Sequence, residues 1–447
     1  MRVQHHSLQL VIDGPTTLQG SISVAGAKNA VLKLFAAALL CDEPVRIARV
    51  PEIEDVHRME EVLERIGCVV TREPGIRTID ASGCHTSELP AELIGKLRAG
   101  LVLLAPLLIR FGSVTLPMPG GDAIGRRPID LFIDGLQAFG VTLEERPDAL
   151  ICRADRLHAA RYVFPFVSVT GTETLMLLAV RTPDVTIIEN AATEPEISAL
   201  ADFLNSCGAR ITGAGTSTIR ITGVDHLRGG SVTCMPDRIE TGAFAAMVAA
   251  CGGSVEIQSC VPEHVAVALK ILTMMGAEVV TDDVAGSIRV TARAPLRAVS
   301  FRTHEHPGLA TDLQPPFTVA MTQARGLALI HETIYEGRLF YIDKLNKMGA
   351  HIILCDPHRC LTEGPRRLTG TTLESPDIRA GIALLIAAAC ADGRSTIDNV
   401  YQIDRGFERI EERLRGIGVR IARVEGSPTS GTVVTLPGSR SSQKVVG

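Results

Sequence analysis

Six times along the 447-residue chain, a stretch with the apolar spacing of an amphipathic helix runs into a glycine and then into a β-branched strand. The six read VHRMEEVLERIGCVV, IDLFIDGLQAFGVTL, ISALADFLNSCGARI, VAVALKILTMMGAEV, FYIDKLNKMGAHI and FERIEERLRGIGVRI. In the third, Ile197, Leu200, Ala201 and Leu204 stand at i, i+3, i+4 and i+7, one face of a helix, and Gly208 is its stop. The glycines Gly67, Gly140, Gly208, Gly276, Gly349 and Gly418 are 73, 68, 68, 73 and 69 residues apart. The second half therefore repeats the first at an offset of about 209 residues, which predicts two similar domains of three units each.

A second set of helices alternates with the first. AKNAVLKLFAAALLC, RAGLVLLAPLLIRFG, TGTETLMLLAV, RIETGAFAAMVAAC, TDLQPPFTVAMTQA and IRAGIALLIAAACA are mostly apolar on every side, so they belong inside the domains. SVTLPM, DVTIIEN, SVEIQS and LALIHE read as strands of the sheets between them. Each buried helix opens with polar residues: Lys28 and Asn29, Arg98, Thr172 and Glu173, Asp237 to Glu240, Asp312, and Asp377 with Arg379. Aspartates there suit capping. Cations do not, because a helix N-terminus already carries about half a positive charge. Lys28, Arg98 and Arg379 therefore predict a cleft that holds phosphate or carboxylate.

Composition narrows the partners. Forty-six per cent hydrophobic content supports substantial cores, and 45 basic against 50 acidic residues, a net charge of −5, gives no basic coat for nucleic acid. The N-terminal MRVQHHSLQLVIDG lacks the pattern of a secretory signal, and no run is long enough to span a membrane. Eleven cysteines scattered without a paired framework fit a reducing cytoplasm. Cys355, His358 and Cys360 in CDPHRC have poor zinc spacing, so neither a metal nor another cofactor is expected.

LPMPGGDAIGRRPIDL carries an aspartate, Asp122, after a glycine pair and just ahead of Arg126 and Arg127. That is either a solvated turn or a loop that brings an acid to a bound anion. Together with GAKNAVL, VSVTGTETLM, IIENAATEPEI, PDRIETGAF, HPGLATDLQPPF, ETIYEGRLFYI, DIRAGIALL and YQIDRGFERIEERL, it resembles the enolpyruvyl transferase family, and within it the members that act on UDP-N-acetylglucosamine. The resemblance covers essentially the whole chain.

The resemblance implies an α/β fold of two inside-out barrel domains, each of three repeated units around buried helices, with the active site between them. Two crossovers would place residues 27–235 in the first domain and 1–26 with 236–447 in the second. It also implies transfer of the enolpyruvyl group of phosphoenolpyruvate to the sugar 3-hydroxyl of UDP-N-acetylglucosamine with loss of phosphate. Family members bind the sugar nucleotide first, then close on phosphoenolpyruvate by moving the loop that carries the Asp122 position.

Carried over by motif, Lys28, Arg127 and Arg405 resemble the ligands of the phosphoenolpyruvate phosphate and carboxylate, with Arg98 and Arg379 completing a cationic wall. Forked guanidinium groups suit both anions. Asp312 resembles the carboxylate that holds the sugar hydroxyl and takes its proton. Asn29 would sit beside the reacting carbons. Arg127, Pro128, Asp130 and Leu131 look like the uridine wall, Ser168, Val169 and Thr170 lie near the diphosphate, and Ile334 and Arg338 are further substrate contacts. Thr193, Phe132, Thr174 and Phe166 depart from the residues usual in the family, all on the expected nucleotide side, which keeps a paralogue using UMP in view.

Most of the family has cysteine where this chain has Asp122. A free thiol has a pKa of about 8.5 and aspartate about 3.9, so Asp122 must be raised, by desolvation in the closed loop, to deliver a proton near neutrality. Arg126 and Arg127 would oppose that shift, so they are expected to face the substrate. Fosfomycin alkylates the family's thiol, and a carboxylate is a poorer nucleophile toward its epoxide. The enzyme should therefore resist covalent inactivation, while Asp122→Cys should become sensitive and shift the alkaline limb of the pH–rate profile toward the thiol range. Rapid inactivation of the native protein, or full activity of Asp122→Ala at every pH, would remove Asp122 from the mechanism.

Overall fold

The computed structural model describes residues 8–118, 130–293 and 296–425, with the backbone alone for 130–132. The six repeat glycines all take positive φ, from 88° to 109°, a region a side chain disfavours. Each ends a helix and turns the chain back into a sheet. The amphipathic set spans Glu54–Arg65, Asp130–Ala138, Pro195–Ser206, Ala266–Met275, Ile342–Lys347 and Ile410–Arg415.

The apolar set forms the interior. It comprises α1 (Lys28–Ala38), α2 (Leu104–Phe111), α3 (Val169–Ala179), α4 (Arg238–Cys251), α5 (Gln314–Gln323) and α6 (Ile378–Cys390). In α6 every residue from Ile378 to Ala389 is buried, as a helix without a polar face requires. Two of the helices start later than expected. Arg98–Leu103 and Thr311–Leu313 are 3-10 turns, and α-helix begins only beyond them. Pro106, Pro315 and Pro316 lie in the first turn of the α-helix that follows, where a missing N–H leaves no bond unmade.

Six sheets occur among the described residues, five of four strands and one of three. The expected strands appear at Ser113–Pro117, Val185–Glu189, Gly253–Gln258 and Gly326–His331. The buried hydrophobic residues form two clusters. One runs from Ala27 to Cys234, and the other joins Leu10–Val24 to Ile239–Ile421. The N-terminal strands explain the second grouping: Leu8–Gly14 lies antiparallel between Gly393–Asp398 and Arg420–Glu425, and Leu18–Ser23 runs parallel to Gly253–Gln258.

The two passages between clusters lie side by side. Ala27 N–H donates to the Met235 carbonyl at 2.8 Å and Asp237 N–H to the Ala25 carbonyl at 3.0 Å, around an antiparallel bridge of Gly26 with Pro236. Glu240 fixes this seam, accepting from Ala25 N–H at 2.9 Å and from both terminal nitrogens of Arg413 at 2.7 Å. The seam sets the N-termini of α1 and α4 next to each other. Among the described residues no helix is long and apolar enough to cross a membrane.

The first cluster encloses the ion pair of Lys33 with Glu173. Lys33 Nζ lies 3.2 Å from a Glu173 carboxylate oxygen and donates to the Asn29 carbonyl at 2.7 Å. Glu173 is fully buried, and among the described residues neither carboxylate oxygen has a hydrogen-bond partner. Burial pushes its acid up to about 7 against the pull of Lys33. A carboxyl raised on folding stabilises the fold while protonated and loses that contribution as pH climbs from its unfolded value through its folded one. Unfolding free energy should thus fall by about 2–3 kcal/mol from this group between pH 4 and pH 8. Glu173→Gln should flatten that slope in denaturant titrations; an unchanged slope would show that Glu173 ionises as freely when folded.

Candidate active site

The polar openings of α1, α4, α5 and α6 meet where the two clusters touch. Lys28 begins α1, and its Nζ donates to Asp55 Oδ2 at 3.0 Å. Arg405, from the far end of the chain, donates from Nε to Asp55 Oδ1 at 2.9 Å and from a terminal nitrogen to Gln402 Oε1 at 2.9 Å. One carboxylate thus joins two cations that arrive from different clusters. Asp55 is only 2% exposed. Burial pushes its carboxyl up, but Lys28 and Arg405 pull harder and hold it below its ordinary value.

Asp312 repeats the arrangement on the other side. Arg338 donates to its Oδ1 at 2.8 Å, and Arg379 Nε donates to its Oδ2 at 2.9 Å. Both arginines are buried. Burial raises the Asp312 carboxyl, yet Arg379, Arg338, Lys28 and Arg238 together keep it well below the usual carboxylate range. Those four cations therefore lie within electrostatic reach of one carboxylate. A third link, Arg238 to Glu196 at 3.0 Å, ties the start of α4 to the helix Pro195–Ser206.

The capping explanation divides among the aspartates. Asp237 caps α4, accepting from Ile239 and Glu240 N–H at 2.7 and 3.2 Å, and Asp377 caps α6, accepting from Arg379 and Ala380 N–H at 2.9 and 3.0 Å. Ser168 caps α3 through Gly171 N–H at 3.1 Å, with Val169 and Thr170 half-buried in the first turn. Asp312 caps nothing, because both its oxygens are taken by arginines. That separates the one aspartate whose helix position does not account for it.

The remaining expected residues are placed unevenly. Asn29 is half-buried in the first turn of α1. Arg98 is half-buried at the start of its 3-10 turn. Ile334 is tied to Thr311, the neighbour of Asp312, through Glu332, which accepts from Ile334 and Tyr335 N–H at 2.8 and 3.1 Å while its other oxygen holds the Thr311 hydroxyl at 2.9 Å. Asp130 and Leu131 begin the helix Asp130–Ala138. Asp122, Arg126, Arg127 and Pro128 lie outside the described residues.

Of the four departures, Thr193 is occupied in a contact between clusters: its hydroxyl donates to the His306 carbonyl at 2.7 Å, and His306 N–H donates to Glu194 Oε1 at 3.3 Å. Thr174 is fully buried in α3, as are all its neighbours from Gly171 to Ala179. Phe166 is 72% exposed two residues ahead of the α3 cap. The side chain of Phe132 is not among those described. Among the described residues no group of three or more His, Cys, Asp or Glu could hold a metal; His358 instead meets the Glu332 carbonyl at 2.8 Å.

Asp55 and Glu332 are the residues that sequence reasoning missed. Asp55 had a signal: it stands on the same helical stripe as Met59, Val62 and Ile66, so an acidic side chain was being carried inward.

Helix N-termini, arginines and two carboxylates are gathered into one polar site, with six repeated units behind them, and comparison with known proteins shows the class of protein that carries it. The family described as EPSP synthase (3-phosphoshikimate 1-carboxyvinyltransferase) matches residues 12–414. The chain belongs to the enolpyruvyl transferase family. It is 40% identical over 416 residues to UDP-N-acetylglucosamine 1-carboxyvinyltransferase 2 of Carboxydothermus hydrogenoformans, covering 93% of this chain and 99% of that protein. The UDP-N-acetylglucosamine 1-carboxyvinyltransferase of Solibacter usitatus is 41% identical over 418 residues, 93% and 100% of the two chains. Among solved structures, the enolpyruvyl transferase NikO from Streptomyces tendae superposes with a TM-score of 0.85 at 25% identity, over 94% and 100% of the chains. EPSP synthase from Acinetobacter baumannii shares the fold, with a TM-score of 0.70 at 17% identity over 94% of this chain and all of that one.

The Asp55 bridge makes a direct prediction. Removing one partner of a buried ion pair costs about 3–5 kcal/mol, because the other charge stays buried and uncompensated. Asp55→Asn should lower the melting temperature measurably, and inorganic phosphate, a surrogate anion for Lys28 and Arg405, should restore part of the loss. A variant as stable as the parent, with no added response to phosphate, would show that Asp55 does not hold these cations.

Proposed function

We propose that the protein transfers the enolpyruvyl group of phosphoenolpyruvate to the 3-hydroxyl of UDP-N-acetylglucosamine and releases phosphate, the first committed step of peptidoglycan synthesis in the cytoplasm. End-to-end likeness, at 40 and 41% identity, to proteins named for that reaction carries this reading. The cations gathered between the clusters agree with it, since phosphoenolpyruvate brings a phosphate and a carboxylate. Residues 27–235 and residues 1–26 with 236–447 are the two jaws that close on the substrates.

In this reading Lys28 and Arg405 exchange Asp55 for the anionic groups of phosphoenolpyruvate, and Arg98, Arg127 and Arg379 complete the wall. Forked arginine contacts then neutralise the charge that builds on the departing phosphate. Asn29 lies beside the reacting carbons. The nucleotide rests along Arg127, Pro128, Asp130 and Leu131, with Ser168, Val169 and Thr170 at its diphosphate, and Ile334 and Arg338 border the sugar.

Asp312 takes the sugar proton as the hydroxyl oxygen bonds to C2 of the enolpyruvyl group. Paired to two arginines, it is a weak base at rest. A substrate anion that draws Arg379 aside raises its basicity at the moment the hydroxyl needs it. Asp122 supplies the proton that C3 gains in forming the tetrahedral adduct; when phosphate then leaves C2, the C3 methyl gives up a proton to the departing phosphate or to solvent, and the C2–C3 double bond of the enol ether product forms. No metal or other cofactor is required by these steps.

Phosphate release from phosphoenolpyruvate should be fast with UDP-N-acetylglucosamine and negligible with UMP; the reverse order would move the protein to a paralogous reaction. Asp312→Asn should retain sugar-nucleotide binding but lose about two to four orders of magnitude in rate. Wild-type turnover by a folded Asp312→Asn would reduce Asp312 to a structural counter-ion.

A further inference from the structure

Among eleven cysteines scattered in sequence, some meet in space. Cys251 is the last residue of α4 and Cys390 the last of α6, and their sulfurs stand 3.3 Å apart although 139 residues separate them in the chain. Both are partly exposed. A disulfide needs a sulfur separation near 2.05 Å, so about 1.3 Å of approach remains, within the reach of side-chain rotation.

The backbone around them is already held in place. The turn between the first two strands lies across both helix ends: Thr16 N–H donates to the Ala389 carbonyl at 2.9 Å and Leu18 N–H to the Gly252 carbonyl at 3.0 Å. Immediately after Cys251, Gly252 and Gly253 take φ of 77° and 109°, so the chain leaves α4 through two residues without side chains to obstruct adjustment.

We propose that Cys251 and Cys390 are a modification site: a small-molecule disulfide such as oxidised glutathione converts them to a reversible disulfide that staples the C-terminal ends of α4 and α6. The Cys251 thiolate attacks one sulfur of the reagent, forming a mixed disulfide and expelling one small thiolate. The Cys390 thiolate then attacks Cys251 Sγ, closing the protein disulfide and expelling the second. The two protons lost by the cysteines end on the two small thiols, so the protein is oxidised by two electrons and the reagent reduced by two. Contact with Cys251 and burial push the Cys390 thiol well above its ordinary value.

The staple acts on stability. A helix of 14 residues is about 21 Å long, so the thiols sit at the opposite end of α4 and α6 from Arg238 and Arg379. What the bond restrains is separation of two helices from the interior of the second cluster. Closing so long a loop limits the unfolded chain and should raise the melting temperature of that domain by roughly 5–10 °C.

The test uses the folded full-length protein, incubated with oxidised glutathione, quenched by alkylation at low pH, digested and mapped by mass spectrometry. The expected result is a peptide containing Cys251 joined to one containing Cys390, lighter by two hydrogen atoms, with a higher melting temperature that a dithiol reverses. Cys251→Ser and Cys390→Ser should each abolish both the linkage and the shift. Cys41 with Cys207 and Cys68 with Cys84 are also neighbouring thiols, so mapping must assign the bond. Stable glutathione adducts without the 251–390 bond, bonds confined to the other pairs, or a melting shift that persists in Cys251→Ser would each overturn the proposal.

Discussion

Two carboxylates, Asp55 and Asp312, make the rest of the site possible. Lys28, Arg338, Arg379 and Arg405 are largely or wholly buried, and Lys28 and Arg379 also stand at helix N-termini, where the backbone dipole repels a cation. Each would be expensive to enclose alone. Asp55 compensates one pair and Asp312 another, and both do so across elements remote in sequence. The protein thereby holds a set of enclosed cations whose charge its own two carboxylates compensate.

The fold exists to bring those elements together. A helix apolar on every side must be enclosed, and three such helices behind three sheets give each cluster an interior without a polar face. Enclosure leaves only helix ends available for polar chemistry. The seam at Gly26 and Pro236 then lays the N-termini of α1 and α4 together, because two chain passages pair with each other there. The same logic puts α4 and α6 side by side, which explains why their last residues, Cys251 and Cys390, meet far from the site.

Much of this was legible beforehand, and what escaped has a common cause. The repeat glycines, the apolar helices and the capping aspartates Asp237 and Asp377 are local matters of periodicity and backbone geometry, and they appear where the residues placed them. The late starts of α2 and α5 were also local, decided by prolines whose effect on the first turn was underweighted. Asp312 was ambiguous because an aspartate before a helix caps as easily as it binds. Only the positions of Arg338 and Arg379 resolved it.

By itself, the sequence determined six helix–glycine–strand units, the all-round apolar helices between them, and the cations set at their N-termini, since each depends on residues within a few turns of one another. Only the tertiary structure decided that Asp55 bridges Lys28 to Arg405, that Thr193 is spent on the His306 carbonyl, and that Cys251 meets Cys390. These contacts join positions 350, 113 and 139 residues apart. Coulombic and hydrogen-bond partners are chosen by distance in space, and no periodicity along a chain encodes which remote side chain will arrive within 3 Å.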